Sequence, residues 1–434
     1  MKKVKPINSW KDALKLPVRL WRLLKQNSAN TALSAPAARI QMEDSTNTDT
    51  KLTVITSLAD HKQHHSQLQV AKLADKTNQQ VRMAGIMDDF TYGSFAPECE
   101  LHQLTPDNWQ QELEVCQPEL LFIESAWRGK DELWGSKVGH CSQELQGIVA
   151  WCRKHNIPTL FWNKEDPVHF ETFLTTAKLF DFVFTTDMDC IHLYKAALGH
   201  DHVYFLPFAC QPQVNNPIEK YVRKDAFCFA GAYYVRYPER TRDLESFVQE
   251  LTYKPMDIYD RNYGKNDPNF QFPAEYQPHI VGTLPYREID KAYKGYRYAI
   301  NLNSIKQSQT MFARRVYELL GSNTLTISNF SRGLRLLFGD LVITSDSGAE
   351  VLRRLQELEA NNSIDRLRLA GLRKAMSEHT YADRMNYILE KITGLPRIIQ
   401  LPAFTIVAVA NNQIEVNNLV EQVARQQQGC MSMD

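Results

Sequence analysis

With 434 residues, 43% hydrophobic and 23% charged, the chain has an ordinary globular balance and enough apolar material for two or three domains. Lysine plus arginine equals aspartate plus glutamate, 50 each, so no overall field points at nucleic acid or at an acidic partner, and any anion site must be local. No apolar run of ~18 residues, secretory signal, CxxC pair or zinc-ligand spacing is present, which predicts a cytoplasmic protein whose cysteines are buried free thiols.

Residues 1–26 are basic. Lys2, Lys3, Lys5, Lys11, Lys15, Arg19, Arg22 and Lys25 face one acid, Asp12, and Trp10 and Trp21 add apolar surface. Cations with tryptophan suit an anionic membrane surface, so peripheral contact with the inner face of the cell membrane is one expectation. A helix packed on the body of the protein is the other. Residues 27–50, rich in Ser, Thr, Asn and Ala, read as a linker, and 51–57 as an isolated strand.

From residue 81 an alternating pattern begins. Short apolar runs at 81–87, 118–124, 159–162, 180–185 and 202–206 are separated by helical stretches at 143–155 and 188–197. Strands this apolar predict a parallel sheet covered on both faces. Pro207, Pro212 and Pro217 with Asn215 and Asn216 mark a domain crossing. A second series follows, with strands at 226–231, 256–259, 280–283, 298–303, 324–328 and 342–345 and helices at 241–251, 312–321, 347–360, 364–380 and 381–396. The fold class is therefore α/β. A Rossmann-like domain at 51–210 and a second at 225–396 have parallel sheets facing a cleft, and 400–434 reads as the incomplete start of a further α/β unit.

In open parallel sheets ligands bind beyond the carboxyl ends of the strands, so polar residues there are the candidates. After 226–231, Gly231 permits close backbone approach, and Arg236, Arg240 and Arg242 can neutralise a diphosphate near a helix start. An exposed basic loop with ordinary capping fits the same residues. After 298–303, Asn303 and Ser304 precede a helix bearing Glu318, a carboxylate able to take two ribose hydroxyls or to pair with Arg314 or Arg315. In the first half, Lys164, Glu165, Asp166 and His169 share one loop. Glu165, Asp166 and His169 are the candidate catalytic groups, and Asp166 with Pro167 also fits a capped helix start. Trp127 follows another strand, where it can stack on a sugar ring or simply pack. Asp88 and Asp89 are weaker candidates. Asp187 and Asp189 have DxD spacing but read better as a helix cap than as a metal site. Walker, GxGxxG, HExxH and GxSxG motifs are missing, so no metal or cofactor is expected.

Three sets of residues carry a family resemblance: 122–127 (FIESAW) with 161–170 (FWNKEDPVHF); 229–240 (FAGAYYVRYPER); and 280–286 (IVGTLPY) with 315–321 (RVYELLG) and 326–328 (TIS). Together they resemble the bacterial CgeB-like and group-1 glycosyltransferases of GT-B fold. The resemblance implies a metal-independent, hexosyltransferase-like enzyme and a nucleotide-sugar donor, UDP-linked first, held by the second domain. Leu284 and Tyr286 would border the base, Glu318 the ribose, and Gly231 and Arg236 the diphosphate. A glycan or lipid-linked acceptor would sit on the first domain, in capsule or other surface-polysaccharide synthesis. Retaining members often carry a second glutamate eight residues before the ribose glutamate, and Thr310 stands there. That departure leaves the stereochemical outcome open. It also keeps a catalytically degenerate scaffold in play beside a CDP-polyol phosphotransferase of teichoic-acid type. The missing signal sequence weighs against a periplasmic small-molecule binder.

Overall fold

The computed structural model describes residues 73–397 and 409–431. Residues 1–26, the linker 27–50, the expected strand 51–57 and most of the expected strand 404–410 lie outside the described residues.

Two parallel sheets organise the chain. The first is built from β1 (Arg82–Ile86), α1 (Asp89–Phe95), β2 (Glu100–Gln103), α2 (Trp109–Cys116), β3 (Leu120–Glu124), α3 (Gln143–Lys154), β4 (Thr159–Asn163), α4 (Phe170–Ala177), β5 (Phe182–Thr185), α5 (Ile191–Leu198) and β6 (Val203–Phe205). Its order is β2-β1-β3-β4-β5-β6, with every pairing parallel. All five residues of β3 and of β4 are buried, as expected of strands covered on both faces.

The second sheet comes from β7 (Lys224–Gly231), α6 (Pro238–Glu250), β8 (Met256–Asp260), β9 (Ile280–Gly282), α7 (Asp290–Lys294), β10 (Tyr296–Asn301), α8 (Arg315–Gly321), β11 (Leu325–Ser328), α9 (Arg332–Phe338), β12 (Ile343–Thr344), α10 (Gly348–Ala360) and α11 (Ile364–Glu378). Its order, β12-β11-β10-β7-β8-β9, is the doubly wound Rossmann arrangement, again all parallel. Two such sheets in one chain make the GT-B architecture. Strand order reverses between β1 and β3 in the first sheet and between β7 and β10 in the second, and each reversal opens a crevice at the carboxyl ends of those strands.

α12 (Tyr381–Thr393), which sequence reading assigns to the second domain, packs instead on the first. Thr380 and Asp383 form a capping box at its start. The Tyr381 ring meets Phe95 of α1 at 5.0 Å, and buried Arg384 donates to the carbonyls of Pro207 and Phe208, 2.9 Å each. One buried cluster therefore joins Phe122, Trp162 and Phe208 with Phe312, Tyr317, Phe338 and Tyr381. Further along, α13 spans Gln413–Met431, where a helix is expected.

The cysteines whose side chains are described are free and, apart from Cys116, buried. Among the described residues, no helix is long and apolar enough to cross a membrane.

Candidate functional site

A cleft of about 470 Å³ opens between the two domains. From the first domain Phe90, Lys164 and Glu165 line it; from the second come Gly231, Arg261, Leu284, Tyr293, Arg314, Arg315 and Glu318, among others. Both topological crevices contribute, since Phe90 follows β1 while Gly231 ends β7.

On the first side the organising group is the Lys164 ammonium, 3% exposed. It lies 2.8 Å from Asp88 Oδ2 and 3.6 Å from both Glu124 and Glu165. Asp88 also accepts the backbone N–H groups of Trp127 (3.2 Å), Arg128 (3.0 Å) and Gly129 (2.8 Å). Burial alone would raise the Asp88 carboxyl, but Lys164 and the Gly129 and Arg128 N–H bonds outweigh it and hold the group below its ordinary range. Gly129 has φ +66°, and a Cβ there would stand 2.7 Å from the Trp134 ring, so only glycine lets this loop wrap the carboxylate. Glu124 is fully buried and takes the Asp88 N–H and the Thr91 hydroxyl; burial, partly offset by Lys164, pushes it up to about 7.

Of the three candidate catalytic groups, the structure brings one into the cleft. Glu165 lines it, with 28% of its side chain exposed. Asp166 is fully buried beneath the loop, accepting from Asn163 Nδ2 (2.8 Å) and the Thr185 hydroxyl (2.6 Å), away from the cleft-lining residues. Nor does Asp166 cap the helix, which begins at Phe170 behind His169. The His169 ring is a half-buried neighbour of Trp127, with ring centres 4.8 Å apart.

Burial pushes the Asp166 carboxyl up to about 7. Its folded pKa thus exceeds the ordinary value of 3.8, so the folded state keeps a proton that the unfolded chain releases between these values. Stability is fully present below that window and falls as pH rises through it, by on the order of 4 kcal/mol. Urea midpoints of Asp166→Asn measured from pH 4 to 8 should lack most of this fall; a variant curve parallel to wild type would contradict the assignment.

On the second side the central feature is a group of arginines. Arg261 follows β8 and opens onto the cleft, Arg315 begins α8, and Arg240 lies 4% exposed in α6. Arg240 donates to the Ala232 carbonyl at 3.0 Å and Arg315 to Asn301 Oδ1 at 3.3 Å, yet the Nε of each is buried without a partner. Among the described residues, none of the three forms an ion pair. Burial first, then Arg315 and Arg261, holds Arg240 down to about 10. A Cβ on Gly231 would stand 2.7 Å from the Phe229 ring and 3.4 Å from Arg315, so glycine keeps the β7 terminus open beneath the guanidinium groups. Uncompensated cations gathered at the end of a Rossmann strand suit a polyanion such as a diphosphate.

Glu318 also lines the cleft. It pairs with Arg314, and its Oε2 accepts the Tyr293 hydroxyl at 2.8 Å. The Phe90 ring of the first domain lies 4.3 Å from Lys164 Nζ and 4.4 Å from the Arg314 guanidinium.

The remaining candidates are distributed as follows. Gly231 and Leu284 line the cleft, and Tyr286 begins the 3-10 turn Tyr286–Glu288 just beyond Leu284. Arg236 is exposed and rests on Tyr237, 5.0 Å from the ring centre, and is not among the lining residues. Asn303 is buried and holds the loop, bonding Ser328, Asn329 and the Ala313 N–H, while half-buried Ser304 follows it. Thr310 bridges the domains: its hydroxyl donates to the Thr186 carbonyl (3.1 Å) and accepts the Met188 N–H (2.9 Å). Asp187 caps the 3-10 turn Met188–Cys190 through the Asp189 N–H, and Asp189 binds Gln309 across the same seam. Lys164 and Arg261 stand just past strand ends, where polar residues are candidates, whereas Arg314 and Arg315 reach the cleft from the start of α8 and are not selected by strand ends.

A family model described as glycosyl transferase-like matches residues 240–390. Spore protein CgeB of Bacillus subtilis is 21% identical over 193 residues, 42% of this chain and 59% of that protein, so the match spans less than two thirds of the relative. Among solved structures, a glycosyltransferase from Rickettsia africae is similar at 8% identity and TM-score 0.48, covering 78% of this chain and 96% of its own. HepE of Anabaena, solved with UDP, is similar at 10% identity and TM-score 0.46, covering 76% and 96%. Residues 240–390, which hold α8 with Arg315 and Glu318, are thus similar to the glycosyl transferase-like family, and the likeness to CgeB points the same way.

Proposed function

We propose that the protein is a glycosyltransferase moving a sugar from a nucleotide-sugar donor, UDP-linked first, to a glycan or other surface-polymer acceptor, in capsule or cell-surface polysaccharide synthesis. The supporting observation is the set of arginines without ion-pair partners, Arg240, Arg261 and Arg315, around the open end of β7, one helix start away from Glu318. In this reading Arg261 and Arg315 take the diphosphate, Glu318 the ribose diol, and Leu284 borders the base. Arginine charge then does the work a metal ion would otherwise do on the leaving diphosphate, which makes transfer metal-independent. Glu165, the first-domain carboxylate open to the cleft, acts on the acceptor hydroxyl.

Titration calorimetry with UDP, GDP, CDP and ADP on wild type and Arg261→Ala tests the reading. Loss of a charge-assisted contact should weaken the preferred diphosphate by about 10- to 100-fold while leaving its nucleoside within about twofold. The ligand-free melting temperature should not fall, because one of several mutually repelling cations has been removed. Equal losses for nucleoside and diphosphate, or no binding of any nucleotide to wild type, would count against it.

A further inference from the structure

Trp127 occupies the loop after β3, outside the residues that line the 470 Å³ cleft, and is 40% exposed while Trp134 in the same loop is fully buried. Its position is held on several sides. The ring meets His169 at 4.8 Å and Phe173 at 5.4 Å, both close to perpendicular, so two aromatic neighbours restrain the indole. Its backbone N–H binds Asp88 Oδ2 at 3.2 Å, the same oxygen that takes Lys164 Nζ at 2.8 Å. That ammonium is in turn 3.6 Å from Glu165. One buried lysine thus ties the indole-bearing loop to the carboxylate that opens into the cleft. Packing alone would leave little reason for so much apolar surface on a loop clamped by a buried ion pair and three backbone hydrogen bonds.

We infer that Trp127 is an acceptor subsite: a platform for one pyranose ring, whose C–H face lies on the indole while its hydroxyls reach Glu165 and His169. An aromatic ring set in place before binding, with a few polar groups beside it, suits a ligand having one apolar face and a polar rim. A flat sugar ring has that chemistry, and a bare phosphate or a charged peptide does not. The inference rests on the glycosyltransferase reading above and goes beyond it in assigning the residue that holds the acceptor sugar.

Saturation-transfer NMR on the full chain with UDP bound tests it, using methyl α-glucopyranoside, methyl α-galactopyranoside and methyl N-acetylglucosaminide as probes. At least one probe should receive saturation through its apolar-face protons. Trp127→Ala should weaken that probe about tenfold, as loss of an aromatic anchor ordinarily does, and Trp127→Phe should keep most of the signal. UDP affinity should stay within about twofold in both variants, which also shows that they fold. If UDP binds wild type but no pyranoside receives saturation, or the signal survives in Trp127→Ala, or Trp127→Phe loses as much as Trp127→Ala, the platform is excluded while the donor reading stands. If UDP does not bind, the probe is repeated with whichever of GDP, CDP or ADP does; if none of the four binds wild type, the transferase reading fails and this inference with it.

Discussion

Glu165→Gln is expected to lower the turnover number by about 10²- to 10³-fold while the donor KM stays within about threefold. The substitution keeps the shape of the side chain and removes its ability to take a proton from the acceptor hydroxyl. Donor affinity should be spared because the arginines and Glu318 stand on the opposite domain. Steady-state kinetics with the preferred donor, together with hydrolysis of that donor without acceptor, separate the effects. A variant that loses donor affinity instead of turnover would make Glu165 a donor contact. One that retains full turnover would move the proton-accepting role to another group.

Lys164→Met is expected to destabilise the protein by about 3–5 kcal/mol, a size typical of a buried ion pair broken from one side. Methionine fills much of the volume, but Glu124, fully buried, and Asp88 then lack their cation. The double variant Lys164→Met/Glu124→Gln should recover part of the loss, because Glu124, pushed up to about 7 even with Lys164 beside it, no longer has to take up a proton on folding. Chemical denaturation of wild type, both single variants and the double variant gives the coupling directly. Additive effects would mean that Lys164 and Glu124 have no net coupling across their 3.6 Å contact. Loosening of the Asp88-tethered Trp127 loop should accompany the single variant, seen as faster amide exchange at Trp127, Arg128 and Gly129.

Much of the architecture could be read locally. Runs such as 120–124 and 159–163 are too continuously apolar for a half-exposed sheet, so parallel strands follow from composition and spacing. Gly231 and Glu318 were reachable because a residue just past a strand, or on the next helix, falls near the crevice whatever the rest of the fold does. Short elements with mixed composition escaped. β2, at the sheet edge, carries Glu100 and His102, and the helix 332–338 is only two turns long.

What the sequence by itself determined is the α/β class, the approximate course of most strands and which polar residues stand at their ends. Those depend on interactions within a few residues and on burial, and both leave periodic marks. Only the tertiary structure decided which polar residues meet. Asp166 and Glu165 are adjacent, yet one is sealed against Thr185 and the other opens into the cleft, because the loop turns between them. Arg236 looks as cationic as Arg261, but it leans outward on Tyr237 while Arg261 joins Arg315 from a different strand. Thr310 bonds to the opposite domain, 124 residues away, and α12 leaves its own domain to pack on α1. Each of these outcomes is a long-range contact whose free energy depends on partners distant in sequence. No local pattern encodes it.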